Sequence, residues 1–505
     1  MKRLIVLLFS VFISFTVFAN DIEINLRVKV IKKYNKLPVG TELVITKIDN
    51  NIYEYEGNTY NSCSIITADG QRILFNEKDS WDKYFEFQTN TPQELWDKLY
   101  LTSVFPNLHS SVLREEIQSD LEADANSYVQ KLRAANAQLN DPILQDYVQS
   151  LVRQITPTNF LDKNKHRINA FVVRNNIPNA YCLPNGVLLV NSGLLACLHS
   201  EAELVAVLGH EIVHYLLGHA ENNVIQEINR QERAAFWASF ATIATAVAEI
   251  AVASHNDNYI PGIATSAVAI LSEVAVESVS EYLGIKYNHA QETEADSVTK
   301  ELLPLWGYAP GAMSGALSRI SEYYSRAGLN AINDVVSETH PSLRNRIIKL
   351  GEPFMIEEKE FERIISFAVT DMASLEAYNM NYDLCIDFAD QNINNGVAVC
   401  EDYLLKVNSI LSLRGGDETY KTDVLNLIDR AKELNVNNVY VRRAEIIANL
   451  LYKQYEESIK SLECYIELLL KFSQTGSLSE LYVTYINDEI IWAHDMIAKI
   501  KGLVE

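Results

Sequence analysis

The sequence predicts an α+β protein, mostly helical, with a small β module first, a helical domain carrying a small sheet next, and a helical tail last. Three observations point there. Apolar and polar residues alternate between turn signals over 20–90. A second extended stretch, 167–190, stands between helix-patterned segments. From about Phe361 onward the periodicity is that of antiparallel helices.

The 505 residues are 48% apolar and 22% charged, which fits more than one globular domain. Lys2 and Arg3 precede an apolar run from Leu4 to Phe18, and Val17-Phe18-Ala19 resembles a cleavage site. Residues 1–19 therefore read as a secretory signal, and the mature chain is expected to be periplasmic or secreted. The net charge is −23, and loss of Lys2 and Arg3 makes it more negative still. No basic block offsets it, which excludes nucleic acid and electrostatic binding to an anionic membrane. None of the six cysteines forms a C-x-x-C pair. An oxidising compartment permits Cys385–Cys400 or Cys182–Cys197 disulfides, with buried free thiols the default.

Within the β module, Leu26, Val28 and Val30 alternate, Leu43 to Ile45 follow Pro38-Val-Gly40, and Ala68-Asp-Gly70 turns into Ile73-Leu-Phe75. About five short strands suggest a barrel or sandwich of SH3-like size. The next domain, 91–355, opens with helices: Thr91-Pro-Gln-Glu is a capped start, a longer pattern runs from Ser110 to about Ala137, and Asp141-Pro-Ile-Leu begins another. Arg167 to Arg174 is strand-like. Ala180 to Leu183 and Val187 to Val190 flank a Pro184-Asn-Gly186 turn and read as a hairpin.

Ser200-Glu-Ala-Glu203 is a capping-box match and starts a helix that Gly218 ends. This helix carries His210-Glu211-x-x-His214. Positions i and i+4 share a helix face, so both imidazoles reach one metal ion. Glu211, turned about 100° from His210, suits a base rather than a ligand. A continued helix would point His219 about 140° from His214, which makes it a structural histidine.

A third ligand comes from Glu292-Thr-Glu-Ala-Asp296, where Glu292 and Asp296 share a face. Glu292 can ligate while Asp296 accepts from the other nitrogen of a ligating imidazole. Glu294 is expected to face solvent. Before this segment lie two Ala-rich runs within 234–280. They read as a helical hairpin packed on the protein or as a membrane contact. Glu249, Glu273 and Glu277 would be costly at mid-bilayer. His340-Pro341 and Arg346 follow, with side chains suited to a developing oxyanion.

In order, these motifs resemble the zinc metallopeptidase family of the CAAX prenyl proteases, HtpX and BepA, and in layout the periplasmic BepA type. The resemblance covers about 220 residues, from Asp141-Pro-Ile-Leu through Asn179-Ala-Tyr-Cys-Leu-Pro-Asn-Gly186 and the His210 motif to Gly307-Tyr-Ala-Pro310 and His340-Pro-Ser-Leu-Arg-Asn-Arg-Ile347. It implies a gluzincin-type domain with one zinc on His210, His214 and Glu292, Glu211 as base, and His340 and Arg346 facing the site. One departure is that the family's Ala-Phe-Ala-Leu-Pro-Gly-Gly reads Ala180-Tyr-Cys-Leu-Pro-Asn-Gly186 here.

The tail, 356–505, places Val441-Arg-Arg-Ala444, Tyr455-Glu-Glu-Ser-Ile459 and Tyr465 at TPR-like offsets suited to a protein partner. The expected function is a zinc endopeptidase acting on envelope or secreted polypeptides. An extended substrate would pair near Asn179, Ala180, Val187, Leu188, Leu189 and Val190. Two other classes stay open: a chaperone-like assembly factor with a closed metal site, and a membrane-embedded protease.

Overall fold

The computed structural model describes residues 18–19, 22–55, 58–75, 81–104, 112–157, 167–227, 287–328, 343–474 and 480–504. Most of the expected leader, the Ala-rich stretch 234–280 and His340 lie outside them.

The first sheet is antiparallel throughout. It comprises β1 (Phe18–Ala19), β2 (Ile22–Val30), β3 (Glu42–Tyr55), β4 (Asn58–Thr67), β5 (Arg72–Phe75) and β6 (Phe85–Gln88). Its order is β5-β4-β3-β2-β6, with β1 pairing β3 at Ile52 and Asn51. β2 buries Ile24, Leu26, Val28 and Val30 and exposes the residues between them, the period-2 pattern of a half-buried strand. β3 is longer than the sequence suggested, at 14 residues.

α1 (Pro92–Leu99) begins at a full capping box between Thr91 and Glu94 and runs into a π-helical turn, Tyr100–Val104. The backbone N–H of Asn25 donates to the buried Asp97 at 3.1 Å, pinning α1 to β2. α2 (Val112–Ala134) follows, then α3 (Pro142–Ile155), whose first amides at Ile143 and Leu144 are capped by Asp141.

The second sheet holds β7 (Asn169–Val173), β8 (Ala180–Cys182) and β9 (Val187–Asn191) in the order β7-β9-β8. β9 runs parallel to β7 and antiparallel to β8. The outer edge of β7 is closed by side chains from α3. Gln149 accepts from the Ala170 N–H at 2.7 Å, while Gln145 accepts from Val172 at 3.1 Å and donates to the Ala170 carbonyl at 2.8 Å. A blunted edge recruits no further strand. Among the described residues β8 is the outer strand on the other side.

α4 (Ser192–Cys197), α5 (Glu201–Leu216) and α6 (His219–Glu227) follow the sheet. α7 (His289–Leu305) and α8 (Ala312–Arg326) pack on α5, and α9 (Leu343–Leu350) packs on both α7 and α8. The tail runs as α10 (Lys359–Tyr378), α11 (Tyr382–Asn394), α12 (Cys400–Arg414), α13 (Lys421–Leu434), α14 (Val439–Leu451), α15 (Tyr455–Gln474) and α16 (Glu480–Val504). Each of these helices packs on the next.

One apolar core runs from the β module through α5 to α10 and α11, with Leu26, Val205, Ile365 and Phe388 among its members. Buried polar groups extend the joint. Asp371 of α10 takes Arg174 Nε at 2.7 Å and Ser192 Oγ at 2.9 Å, and Glu376 accepts from Tyr323 and Asn176. The loops that flank the second sheet are thereby anchored to the tail's first helix. Cys182, Cys197, Cys385 and Cys400 are buried free thiols, so neither conceivable disulfide forms. Among the described residues no helix is long and apolar enough to cross a membrane.

Candidate metal centre

α5 is positioned before it is functional. Ser200 accepts from the Glu203 N–H at 3.3 Å. The reciprocal half of the expected capping box is shifted by one residue: Glu203 accepts from the His199 N–H at 2.8 Å, not from that of Ser200. Glu203 is fully buried, and burial raises its pKa. From Ala202 to Leu216 every side chain of α5 is buried. Gly209 lets α7 approach closely, since a Cβ there would meet the Trp306 ring at 2.8 Å.

His210 and His214 project from one face of this helix, with their Nε2 atoms 3.0 Å apart. Glu292, on the first turn of α7, brings Oε1 to 3.2 Å from His214 Nε2 and Oε2 to 3.5 Å from His210 Nε2. α7 starts at a capping box between Asn288 and Gln291, which sets its phase and so the direction of Glu292. The three ligand atoms all lie within 4.8 Å of one another, and all three residues are buried. Two imidazoles and one carboxylate match a three-ligand divalent metal site that keeps a position open for water.

Asp296, one turn after Glu292, lies 3.1 Å from His210 Nδ1. Arg346 of α9 grips Asp296 with Nε and Nη2 at 2.9 and 2.7 Å and places Nη1 3.1 Å from Glu292 Oε2. Burial opposes charge on Asp296, yet Arg346 and His210 hold its carboxyl well below the usual range. Burial and the Arg346 charge oppose protonation of His210, but its hydrogen bonds to Asp296 and Glu292 carry its pKa up to about 9. Burial holds His214 well below the ordinary imidazole range.

Glu211 is buried beside the second sheet, and the Cys182 backbone N–H points at its Oε2 from 3.4 Å. The β8–β9 ladder explains that direction. Leu183 donates to Val187 and Asn191 donates to Asn179, so the backbone groups of Cys182 alternate to the far side, toward Glu211. The expected substrate strand is corrected here. Val187, Leu188, Leu189 and Val190 form the central strand, paired on both sides, and have no free edge. Ala180 lies on the outer strand, where its N–H donates to the Asn179 side-chain oxygen at 2.9 Å. Asn179, just before it, donates to the Tyr181 hydroxyl at 2.6 Å.

Two further expectations change. The helix of His214 does not continue to His219: it stops at Leu216, Gly218 turns the chain with φ of 65°, and α6 begins at His219. The turn brings His219 Nδ1 back to within 2.8 Å of His214 Nδ1. Glu294 does not simply face solvent, because its Oε2 lies 3.4 Å from His219 Nε2 and its Oε1 accepts from Ser103. Sequence reasoning also missed Tyr287, whose ring stacks on His214 at 3.8 Å between centroids. Burial and the nearby Glu211 push its hydroxyl well above the usual range. The helix stop at Gly218 was legible and could have signalled the return of His219. Nothing local marks Tyr287.

Residues 142–353, which contain every ligand candidate, match the family described as peptidase family M48. Over that stretch the chain is similar to M48 peptidases. Similar proteins include the beta-barrel assembly-enhancing protease of Escherichia coli, 24% identical over 276 residues, which are 53% of this chain and 51% of that protein. The corresponding protein of Vibrio cholerae is 26% identical over 203 residues, 40% of this chain and 38% of its own length. The mitochondrial metalloendopeptidase OMA1 of Arabidopsis thaliana is 27% identical over 187 residues, covering 37% of this chain and 32% of its own. The aligned stretches thus span between a third and about half of these relatives. The matched stretch begins at the first helical residue of α3 and ends just beyond α9, so it takes in the second sheet and the two helices that carry His210, His214 and Glu292.

Proposed function

We propose that the protein is a zinc-dependent endopeptidase that hydrolyses polypeptides held along β8. The observation that carries this reading is the junction of two features: the cluster of His210, His214 and Glu292, and Glu211 lying between that cluster and the Cys182 N–H. A closed structural site has no use for a buried carboxylate set beside its ligands and reaching a strand of the adjoining sheet.

Bound at the three ligands, zinc supplies a Lewis acid with one position open for water. Glu211 takes a proton from the attacking water and returns it to the leaving amine. An extended substrate adds a strand to β8, displacing the Asn179 and Glu211 side chains from the N–H groups of Ala180 and Cys182. Arg346 is committed to Asp296 and Glu292, which supports a role in holding the two carboxylates rather than in meeting an oxyanion. His340 stays the candidate for that contact.

The similar proteins named as proteases support polypeptide as the substrate class. An envelope location is part of the same proposal, supported by the leader-like pattern of residues 1–19. In the tail, a groove of about 430 Å³ lined by Asp390, Lys406, Arg414, Tyr420 and Arg430 is the place for a protein partner. The test is zinc content of the purified chain together with cleavage of an unfolded protein, with and without chelator. Zinc near one per chain and chelator-sensitive cleavage are expected. A zinc-free, inactive chain would sink the reading.

A further inference from the structure

His219 stands against the ligand pair without belonging to it. It is buried, and its ring meets that of His214 edge-on with centroids 4.9 Å apart. Its Nδ1 is 2.8 Å from His214 Nδ1, and its Nε2 is 3.4 Å from Glu294 Oε2. Glu294 is itself anchored, accepting from Ser103 Oγ at 3.1 Å. Gln291 donates to the His219 carbonyl at 3.2 Å, so the backbone at this residue is held as well.

We infer that His219 is a positioning residue that locks His214 in the tautomer able to bind metal, with Glu294 locking His219 in turn. This rests on the metal-site reading above. His214 turns Nε2 toward His210 and Glu292, so with a metal held there Nε2 would be the bare nitrogen and Nδ1 would carry the hydrogen. Contact between two Nδ1 atoms requires one donor and one acceptor. His219 Nδ1 is therefore the acceptor, and its hydrogen sits on Nε2, facing the Glu294 carboxylate. Each link admits one proton placement, so the carboxylate at one end sets the lone pair at the other.

The two ligating histidines are thus oriented by unlike devices. His210 faces an ionised carboxylate directly, through Asp296. His214 faces a neutral imidazole that relays a more distant carboxylate. Partners of this kind govern ligand orientation and basicity, and their loss typically weakens metal binding. Because Ser103 belongs to the turn after α1, the chain of contacts also ties the segment before the M48-like stretch to the metal centre.

Zinc affinity of the full chain, measured by competition with a fluorescent zinc chelator, tests this. His219→Ala is expected to weaken binding by about 10–100-fold. His219→Asn, whose side-chain oxygen accepts where Nδ1 stood, is expected to recover most of that loss. A space-filling role would not discriminate in favour of an acceptor. Should His219→Ala not fold, Glu294→Ala carries the test: it is expected to bind severalfold more weakly than Glu294→Gln, which keeps an acceptor. Wild-type affinity in His219→Ala, or an Asn variant as weak as the Ala variant, would overturn this inference alone. A wild-type chain that binds no zinc would overturn it together with the metal-site reading.

Discussion

Arg346 holds Asp296 through two parallel contacts, Nε to Oδ2 at 2.9 Å and Nη2 to Oδ1 at 2.7 Å, and its third nitrogen reaches Glu292. The geometry is the two-pronged pairing that a guanidinium makes with a carboxylate and that an ammonium cannot. One cation therefore braces both Glu292 and Asp296 of α7, including the one expected to ligate metal.

Replacing that cation has a clear expected effect. Arg346→Ala leaves two buried carboxylates without it, and breaking a buried pair from one side costs roughly 3–5 kcal/mol. Urea unfolding of the metal-free chain measures this, and a loss below about 1 kcal/mol would show that the pair is not what holds α9 to α7. Arg346→Lys keeps the charge but not the fork and is expected to fall between the two.

Glu211→Gln is expected to retain zinc and the fold while losing proteolysis by about 10²–10⁴-fold, the usual worth of a positioned acid–base group. Steady-state cleavage of an unfolded protein by zinc-matched samples reads this directly. Undiminished turnover in the Gln variant removes Glu211 from the mechanism.

Zinc binding is expected to depend on pH through His210. Its pKa of about 9 in the metal-free protein means that a proton occupies the ring at neutral pH and must leave before the metal binds. His214 is held neutral and Asp296 ionised, so neither adds a proton in this range. Affinity should rise by about tenfold per pH unit from pH 7 toward 9 and then level, with release of about one proton. The same shift bears on the metal-free fold. Raised above the ordinary 6.5, it contributes stability that is fully present below that value and lost as pH rises through about 9. Isothermal titration in buffers of different ionisation enthalpy counts the protons, and none released would contradict the assignment.

Gly193 follows the central strand where two loops close on the sheet, and a Cβ there would lie 2.5 Å from the Asn176 carbonyl oxygen. Backbone does not yield as a side chain does, so Gly193→Ala is expected to cost about 1–3 kcal/mol by overpacking. Gly502→Ala is the control, since nothing lies within 4 Å of a Cβ there and alanine favours the helix. Chemical denaturation of both variants makes the comparison. Equal stability would mean that the 175–179 loop moves freely away from α4.

Short-range features of this protein are written in the chain itself. Alternation in β2, the caps at Thr91, Asp141 and Ser200, and the i, i+4 spacing of His210 and His214 depend on neighbours a few residues away, and local chemistry suffices to read them. Which strand of the second sheet lies at its edge was not readable. The hairpin of β8 and β9 is local, but β7 joins β9 from the other side and α3 then seals β7, and both events are contacts between distant segments. Of the expected substrate contacts, those along Val187 to Val190 are barred for that reason, and those at Asn179 and Ala180 stay a proposal. His219 shows the same division. Gly218 announces a helix end, yet only the tertiary path after that turn decides that the next histidine swings back to His214. Sequence alone determined the ligand types and their helical spacing, because a metal site's chemistry resides in side-chain identity and helix periodicity. Tertiary structure decided which groups orient those ligands, because orientation comes from α7, α9 and the turn after α1, segments that meet only when the chain has folded.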